Sequence, residues 1–374
     1  MPMPIDHAAP TLSRTRTRDA RGRSRLALLD ILRLAAALSV VAYHWLFWGI
    51  EHDAIHSFST TPVSWLAAYG FLGVQLFFLI SGFVIFLSAS GREASAFAAG
   101  RATRLYPAYW AGVALTSATL LLTAQAQPLD LLPKFLANLT MVPALFRQPQ
   151  LDGVYWTLTL ELQFYALVFL FLLLRKRHWL ETFFPLWSIA MLGTTLFLPA
   201  VARLPLGGDL FTLFAGGAII AMVSRTGWTA LRAAGLLASV IGGVVATTRQ
   251  AEESGDAATD PIVLGVLVVL LFALVLVLTR PPVAALPVPG SRFFGALTYP
   301  LYLSHAVFGY ALLNRWVDPA MPWPGIAAAL IVVLVVSTAI NLLVERVAAP
   351  VWRTLFRWLF SPVAWSERRS SRTS

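Results

Sequence analysis

Five ionisable side chains, Asp30, Arg33, His44, Glu161 and His305, fall inside stretches that are otherwise apolar. Such a group within a membrane span is costly and usually faces the bundle interior or a wet cavity, which makes each one a functional candidate. Ten residues separate Arg33 from His44, so on a helix the two point within about 20° of each other, roughly 16 Å apart along the axis. Asp30 lies one turn before Arg33 on nearly the same side. The stripe carries a cation toward one surface and an imidazole, a group able to take up and return a proton near neutral pH, deeper inside. The same pattern also fits Asp30 paired with Arg33 at the interface and His44 bonded to a backbone carbonyl.

Glu161 stands in "VYWTLTLELQFY", about nine residues into a span. If Tyr155 and Trp156 belong to an interfacial aromatic belt, its carboxylate sits near mid-bilayer. There it needs His44, an arginine, a bound substrate or another interhelical partner. His305 belongs to "LTYPLYLSHAVF", where Pro300 cannot donate to the helix ladder and predicts a kink that frees carbonyls toward a cavity. Tyr299 and Tyr302 add hydroxyls three apart, and a helix-packing histidine is the plainer reading of His305. In "GRATRLYPAYW", Arg101 and Arg104 share one helix face. Two planar, permanently charged forks suit phosphates, and they suit lipid headgroups or a topology anchor equally well. "EHDAIH" places His52 and His56 four apart beside two acids, but an exposed polar loop is expected there and no metal site.

The elements that must position these groups are membrane helices. The chain has 374 residues, 58% hydrophobic and 12% charged, with a mean hydropathy of +0.72, values outside the range of a soluble domain with a polar shell. Ten stretches can each span a bilayer, near 28–49, 66–89, 105–124, 153–174, 183–201, 209–224, 229–247, 261–279, 293–314 and 325–344. The sixth is short and interrupted by Gly216 and Gly217. Lys and Arg collect on the cytoplasmic side of membrane proteins, and the alternate loops here follow that rule. With both termini placed in the cytoplasm, 22 of the 28 basic residues lie inside and five outside, while Arg33 lies within the first span. Distributed in this way, the net charge of +10 reads as a topology signal and not as a nucleic-acid surface. Asp30, Arg33 and His44 interrupt the first apolar run, which argues against a cleaved signal peptide. Cysteine is absent, so thiolate zinc sites and cysteine acyl-enzymes are excluded.

The expected organisation is a disordered Arg-rich cytoplasmic tail over 1–25, one transmembrane domain over 26–360 and a basic cytoplasmic tail over 361–374, with 366–374 also read as disordered. The outside segment "LDLLPKFLANLTMVPALF" has the apolar spacing of a helix lying along the interface. No internal repeat is evident. The predicted fold class is an all-α polytopic bundle of about ten transmembrane helices in the cell inner (cytoplasmic) membrane, in contact with membrane lipids.

Taken together, these motifs resemble acyltransferase family 3. "LDILRLAAALSVVAYH" is similar to its first-span signature of arginine, ten residues and histidine. "GVQLFFLISGFVIF", "RATRLYPAYW", "YWTLTLELQFY" and "LTYPLYLSH" resemble its later motifs in the same order, and "VERVAAPVW" resembles its closing pattern more loosely. Gln75 departs from the pattern, because many members carry an acid there. The resemblance spans about residues 26–353 and lacks the appended extracytoplasmic domain of longer relatives. It implies an acyl-CoA-dependent O-acyltransferase that moves an acyl group, expected to be acetyl, to a hydroxyl of a surface glycan, an exopolysaccharide or a lipid-linked sugar. Acyl-CoA would be a donor substrate, with no permanently bound cofactor and no nucleic-acid partner. In that reading His44 is the general base and Glu161 orients it, steadies its imidazolium or binds sugar hydroxyls. Arg33, Arg101 and Arg104 hold the donor, and Asp30, Tyr299, Tyr302 and His305 line the substrate cavity. A proton-coupled secondary transporter of an envelope precursor would also carry buried acids and histidines, although two related halves with paired interrupted helices are not apparent. A non-catalytic envelope assembly protein would keep the fold without needing His44.

Overall fold

The computed structural model of the chain describes residues 26–254 and 258–370. The Arg-rich segment 1–25 and residues 371–374, both expected to be tails, lie outside the described residues. Among the described residues the fold is an all-α polytopic membrane bundle with no strand. Eight helical stretches are long and apolar enough to cross a membrane: Ala27–Glu51, Ser64–Ala89, Ala94–Leu122, Gly153–Leu173, Arg177–Phe197, Ala230–Glu253, Pro261–Leu278 and Pro322–Val347. Two further passes bring the total to the ten expected. The sixth span is the 16-residue helix Phe211–Thr226. The ninth is a broken pair, Ser291–Ser304 followed by Val307–Trp316.

The sixth span tolerates its shortness because it does not face lipid: every residue from Phe211 to Met222 is buried. Its glycines are contact points and not interruptions. A Cβ at Gly217 would collide with the Leu79 carbonyl of the second span, and one at Gly82 would collide with the Phe214 carbonyl of the sixth. The two backbones therefore pack at a distance that only glycine allows. By contrast, the uncharged eighth span exposes Ile262, Val266, Leu270 and Val277 on its outer surface, as a lipid-facing helix should.

Pro300 is accommodated inside the inner half of the ninth span, and the Ser304 hydroxyl donates to its carbonyl at 2.9 Å. The break falls later, at Ala306 (φ −82°, ψ −94°), and so corrects the expected kink at the proline. Two groups hold the break. The Trp45 indole donates to the His305 carbonyl at 2.7 Å, and Asp152 Oδ2 accepts from the Val307 amide at 3.2 Å. The freed carbonyl is thus turned to the first span and away from any cavity.

The first span is α-helical to Tyr43 and π-helical over His44–Trp48, and the tenth span ends in a second π segment, Ile340–Val347. Such widened turns often occur at functional sites. The loops assigned to the cytoplasm gather at one end of the bundle: Arg225 donates to Ser90 at 2.8 Å, Ser95 to Glu367 at 2.5 Å and Arg175 to the Glu367 carbonyl at 2.9 Å. Loops assigned outside meet at the other end through Arg203–Glu253 and through Asn314, which bonds residues 54 and 56. The outside segment forms the expected helix over Pro128–Asn138. At the other terminus, residues 361–370 are helical, in contrast to the disorder read for 366–374.

Candidate functional site

A cavity of about 250 Å³ opens among the first, second, third, fourth and ninth spans, nearer the basic end. Its wall includes Arg33, Arg101, Arg104, Glu161, Tyr299 and Tyr302, which were singled out in the sequence, together with Ser81, Tyr165, Thr157 and Phe77. The third span makes this possible by starting earlier than expected, at Ala94, so both arginines project from a formed helix.

The three guanidiniums are not equivalent. Arg104 Nη1 donates to Glu345 Oε1 at 2.9 Å, and its guanidinium lies 5.7 Å from the Tyr299 ring. Asn341 steadies the same glutamate by donating at 2.7 Å, one turn earlier on the π segment. Arg33 and Arg101 have no ion-pair partner among the described residues, and the buried Arg101 Nε–H makes no hydrogen bond. Two guanidiniums without an ion pair, Arg101 resting 5.9 Å from the Tyr165 ring, stand beside one that has a carboxylate partner, an arrangement able to accept an anion.

Glu161 faces the cavity opposite them. Ser81 donates to its Oε1 at 2.9 Å and Tyr165, one turn on, donates at 2.5 Å. These hydroxyls are its partners in place of His44. Tyr155, expected at the interface, is buried, and its hydroxyl lies 3.0 Å from that of Thr116. The start of the fourth span is tucked against the third and ninth spans and does not face lipid.

Asp30, His44 and His305 are absent from the cavity wall. Asp30 packs against Gly295, where a Cβ would sit 2.6 Å from its carboxyl oxygen. The histidines lie beyond the deep wall made by Tyr302 and Phe77, whose ring centroids are 6.0 Å apart at 78°. Tyr302 is fixed there, its hydroxyl bonding Thr157 at 2.8 Å and the Val154 carbonyl at 2.9 Å. Behind it the His305 ring lies 5.5 Å from the Tyr302 ring, and the His44 ring 5.1 Å from that of His305. The stripe from Arg33 to His44 therefore runs from the cavity past its end wall, and the two histidines, distant in sequence, form a pair.

The His305 ring has a defined tautomer. Its Nδ1 lies 2.8 Å from the Tyr302 carbonyl, which can only accept, so Nδ1 carries the proton. Nε2 is then a bare acceptor, buried and without a donor among the described residues. His44 is half-buried, and its Nδ1 lies 2.8 Å from the Tyr310 hydroxyl. His52 stacks on Trp48 at 4.4 Å, while the His56 amide bonds Asn314. Gln75 points away from the cavity and donates to Gln250 Oε1 at 2.9 Å.

Sequence reasoning missed Ser81, Tyr165, Glu345, Asp152 and Tyr310. Tyr165 could have been found from its i, i+4 spacing to Glu161. Glu345 lies in "VERVAAPVW", whose resemblance to the closing pattern marked the segment without giving its partner, and Ser81, Asp152 and Tyr310 are brought in by tertiary contacts and carry no local signal.

Residues 26–342 match the family described as an acyltransferase domain. Part of the chain is similar to the exopolysaccharide production protein ExoZ of Rhizobium meliloti (strain 1021), with 35% identity over 118 residues, covering 29% of this chain and 36% of that relative. The chain thus spans about a third of the length of the curated relative it matches. No solved structure matches it.

Proposed function

Since the chain belongs to the acyltransferase domain family, and is a multi-pass membrane protein by its helices, we propose that it transfers an acyl group from acyl-CoA to a hydroxyl of a cell-surface glycan, an exopolysaccharide or a lipid-linked sugar. The expected group is acetyl, the expected location the inner membrane, and His44 the general base. The observation that carries this reading is the cavity that collects Arg33, Arg101 and Arg104 near the basic end and closes on Tyr302, directly in front of the histidine pair. ExoZ, named for exopolysaccharide production, supports the choice of acceptor class.

At about 250 Å³ the cavity is below the usual range for a drug-sized ligand. It would accept the pantetheine arm, leaving the nucleotide and its phosphates at the arginine mouth. Arg33 and Arg101 would bind phosphate oxygens directly, while Arg104 shares its charge with Glu345. The thioester end then meets the Phe77–Tyr302 layer, in which Phe77, half-buried and without polar ties, is held by packing alone.

The reaction needs a base because an alcohol attacks a thioester poorly while it keeps its proton. His44 Nε2 takes the hydroxyl proton as the oxygen bonds to the acyl carbon. The tetrahedral intermediate collapses with cleavage of the carbon–sulfur bond, and the CoA thiolate leaves and receives a proton from the imidazolium. The bare Nε2 of His305 would accept a hydrogen bond from a second hydroxyl of the acceptor sugar and so hold the attacking hydroxyl against His44. Glu161, on the donor side, would bind polar groups of the arm or the acceptor.

The test uses purified protein in lipid nanodiscs with labelled acetyl-CoA and the producing cell's own polysaccharide. The expected outcome is acceptor-dependent release of free CoA and label on the glycan, both lost in His44→Ala while donor binding persists. Full activity in His44→Ala would overturn the assignment of the base.

A further inference from the structure

We infer that Tyr310 is the positioning residue for His44: its hydroxyl holds the imidazole Nδ1–H, so that Nε2 is presented bare to the acceptor alcohol. The inference rests on the general-base reading of His44 given above.

A histidine base needs its second nitrogen fixed, because the group bonded there decides which tautomer and ring orientation prevail. The Tyr310 hydroxyl lies 2.8 Å from His44 Nδ1, a contact in which either group can donate; the general-base reading requires Nδ1–H to be the donor, with the proton of the half-buried phenol turned to water or to the acceptor sugar. A phenol suits this depth better than a carboxylate. It accepts a hydrogen bond without adding an ion whose desolvation the bundle would have to offset. When Nε2 gains a proton, the bond becomes a charge-assisted one from imidazolium to hydroxyl oxygen, stronger than the bond in the resting state. The positioning therefore favours the protonated intermediate over the ground state, which is where a catalytic contribution arises.

Tyr310 is itself held from both ends of its helix. The break at Ala306 starts a new helix, whose first amide is capped by Asp152. Gly309, one residue before Tyr310, lets the Trp45 indole lie against that helix: a Cβ there would sit 2.7 Å from Trp45 Nε1. Asn314, one turn beyond Tyr310 on the same face, donates to the Ala54 carbonyl at 2.9 Å and accepts from the His56 amide at 3.0 Å. An unbroken ninth span would have no reason to set this register. The break, its cap and the asparagine together aim one hydroxyl at one ring nitrogen.

The experiment compares wild type, Tyr310→Phe, His44→Ala and the double variant in the labelled-donor assay. Phe keeps the ring and removes only the hydroxyl. Tyr310→Phe is expected to lower kcat about 10- to 100-fold, the range of one charge-assisted hydrogen bond, with the KM for acetyl-CoA and the thermal midpoint unchanged. It is expected to add nothing on top of His44→Ala, since a residue acting through another has no effect once that other is gone. An unimpaired kcat in Tyr310→Phe beside an inactive His44→Ala overturns the inference and leaves the base assignment standing. An equal loss in the presence and absence of His44 also overturns it. Full activity in His44→Ala removes the base reading itself and this inference with it. If Tyr310→Phe lowers the thermal midpoint, Asn314→Ala serves as the second variant: it loosens the register from a distance, and a fall in kcat with unchanged donor KM is again expected. Unaltered kcat in that variant counts against the inference.

Discussion

Arg101 and Arg104 differ in what each can offer a ligand, although three positions apart they look interchangeable. Arg104 has a carboxylate at 2.9 Å, whereas Arg101 keeps a buried N–H without an acceptor. A charge-assisted hydrogen bond is worth about 1.5–3 kcal/mol, so Arg101→Ala is expected to raise the apparent KM for acyl-CoA roughly 10-fold or more. Arg104→Ala is expected to raise it less, because Glu345 already offsets part of its charge. Initial-rate kinetics on both variants checks the order, and the reverse order would remove the distinction. The arginine pair was legible in sequence because both members lie on one helix. Glu345 stands 241 residues away from Arg104 and is linked to it only by the fold.

At the scale of elements, the ninth span shows what periodicity reports and what it omits. A continuous apolar run marked the pass, and its proline suggested the place of the kink. The break occurs instead where Trp45 and Asp152, from two other elements, satisfy the exposed backbone groups. Asp152 sits just before the fourth span and is buried, and that burial pushes its carboxyl up to about 6 despite the bonds from Val154 and Val307, which act in the opposite direction. A carboxyl whose folded value is raised stabilises the fold below its ordinary value near 3.8 and loses that contribution as pH rises through about 6. The thermal midpoint of wild type relative to Asp152→Asn should therefore fall between pH 4 and pH 7, and a difference independent of pH would contradict this. The second and sixth spans make a separate case. Gly217→Ala would force the two backbones apart, with a cost of about 1–3 kcal/mol from overpacking, seen as a lowered thermal midpoint in detergent.

Over the whole molecule, the number of passes and the charge bias were readable because lipid imposes them on composition alone. The arrangement of those passes was not, since it depends on which glycine meets which carbonyl. The lack of cysteine makes the orientation directly testable. The single-cysteine variants Lys176→Cys and Arg315→Cys should react with an impermeant maleimide from opposite sides of the membrane. Labelling of both from one side would contradict the ten-pass arrangement.

Tyr302 belongs to two compartments at once. Its ring forms the floor of the arginine cavity, while its backbone oxygen fixes the proton on the hidden histidine behind. One residue thus serves the rooms on both sides of the partition, and trimming the ring in Tyr302→Ala would open one onto the other while leaving in place the backbone oxygen that the hidden imidazole bonds.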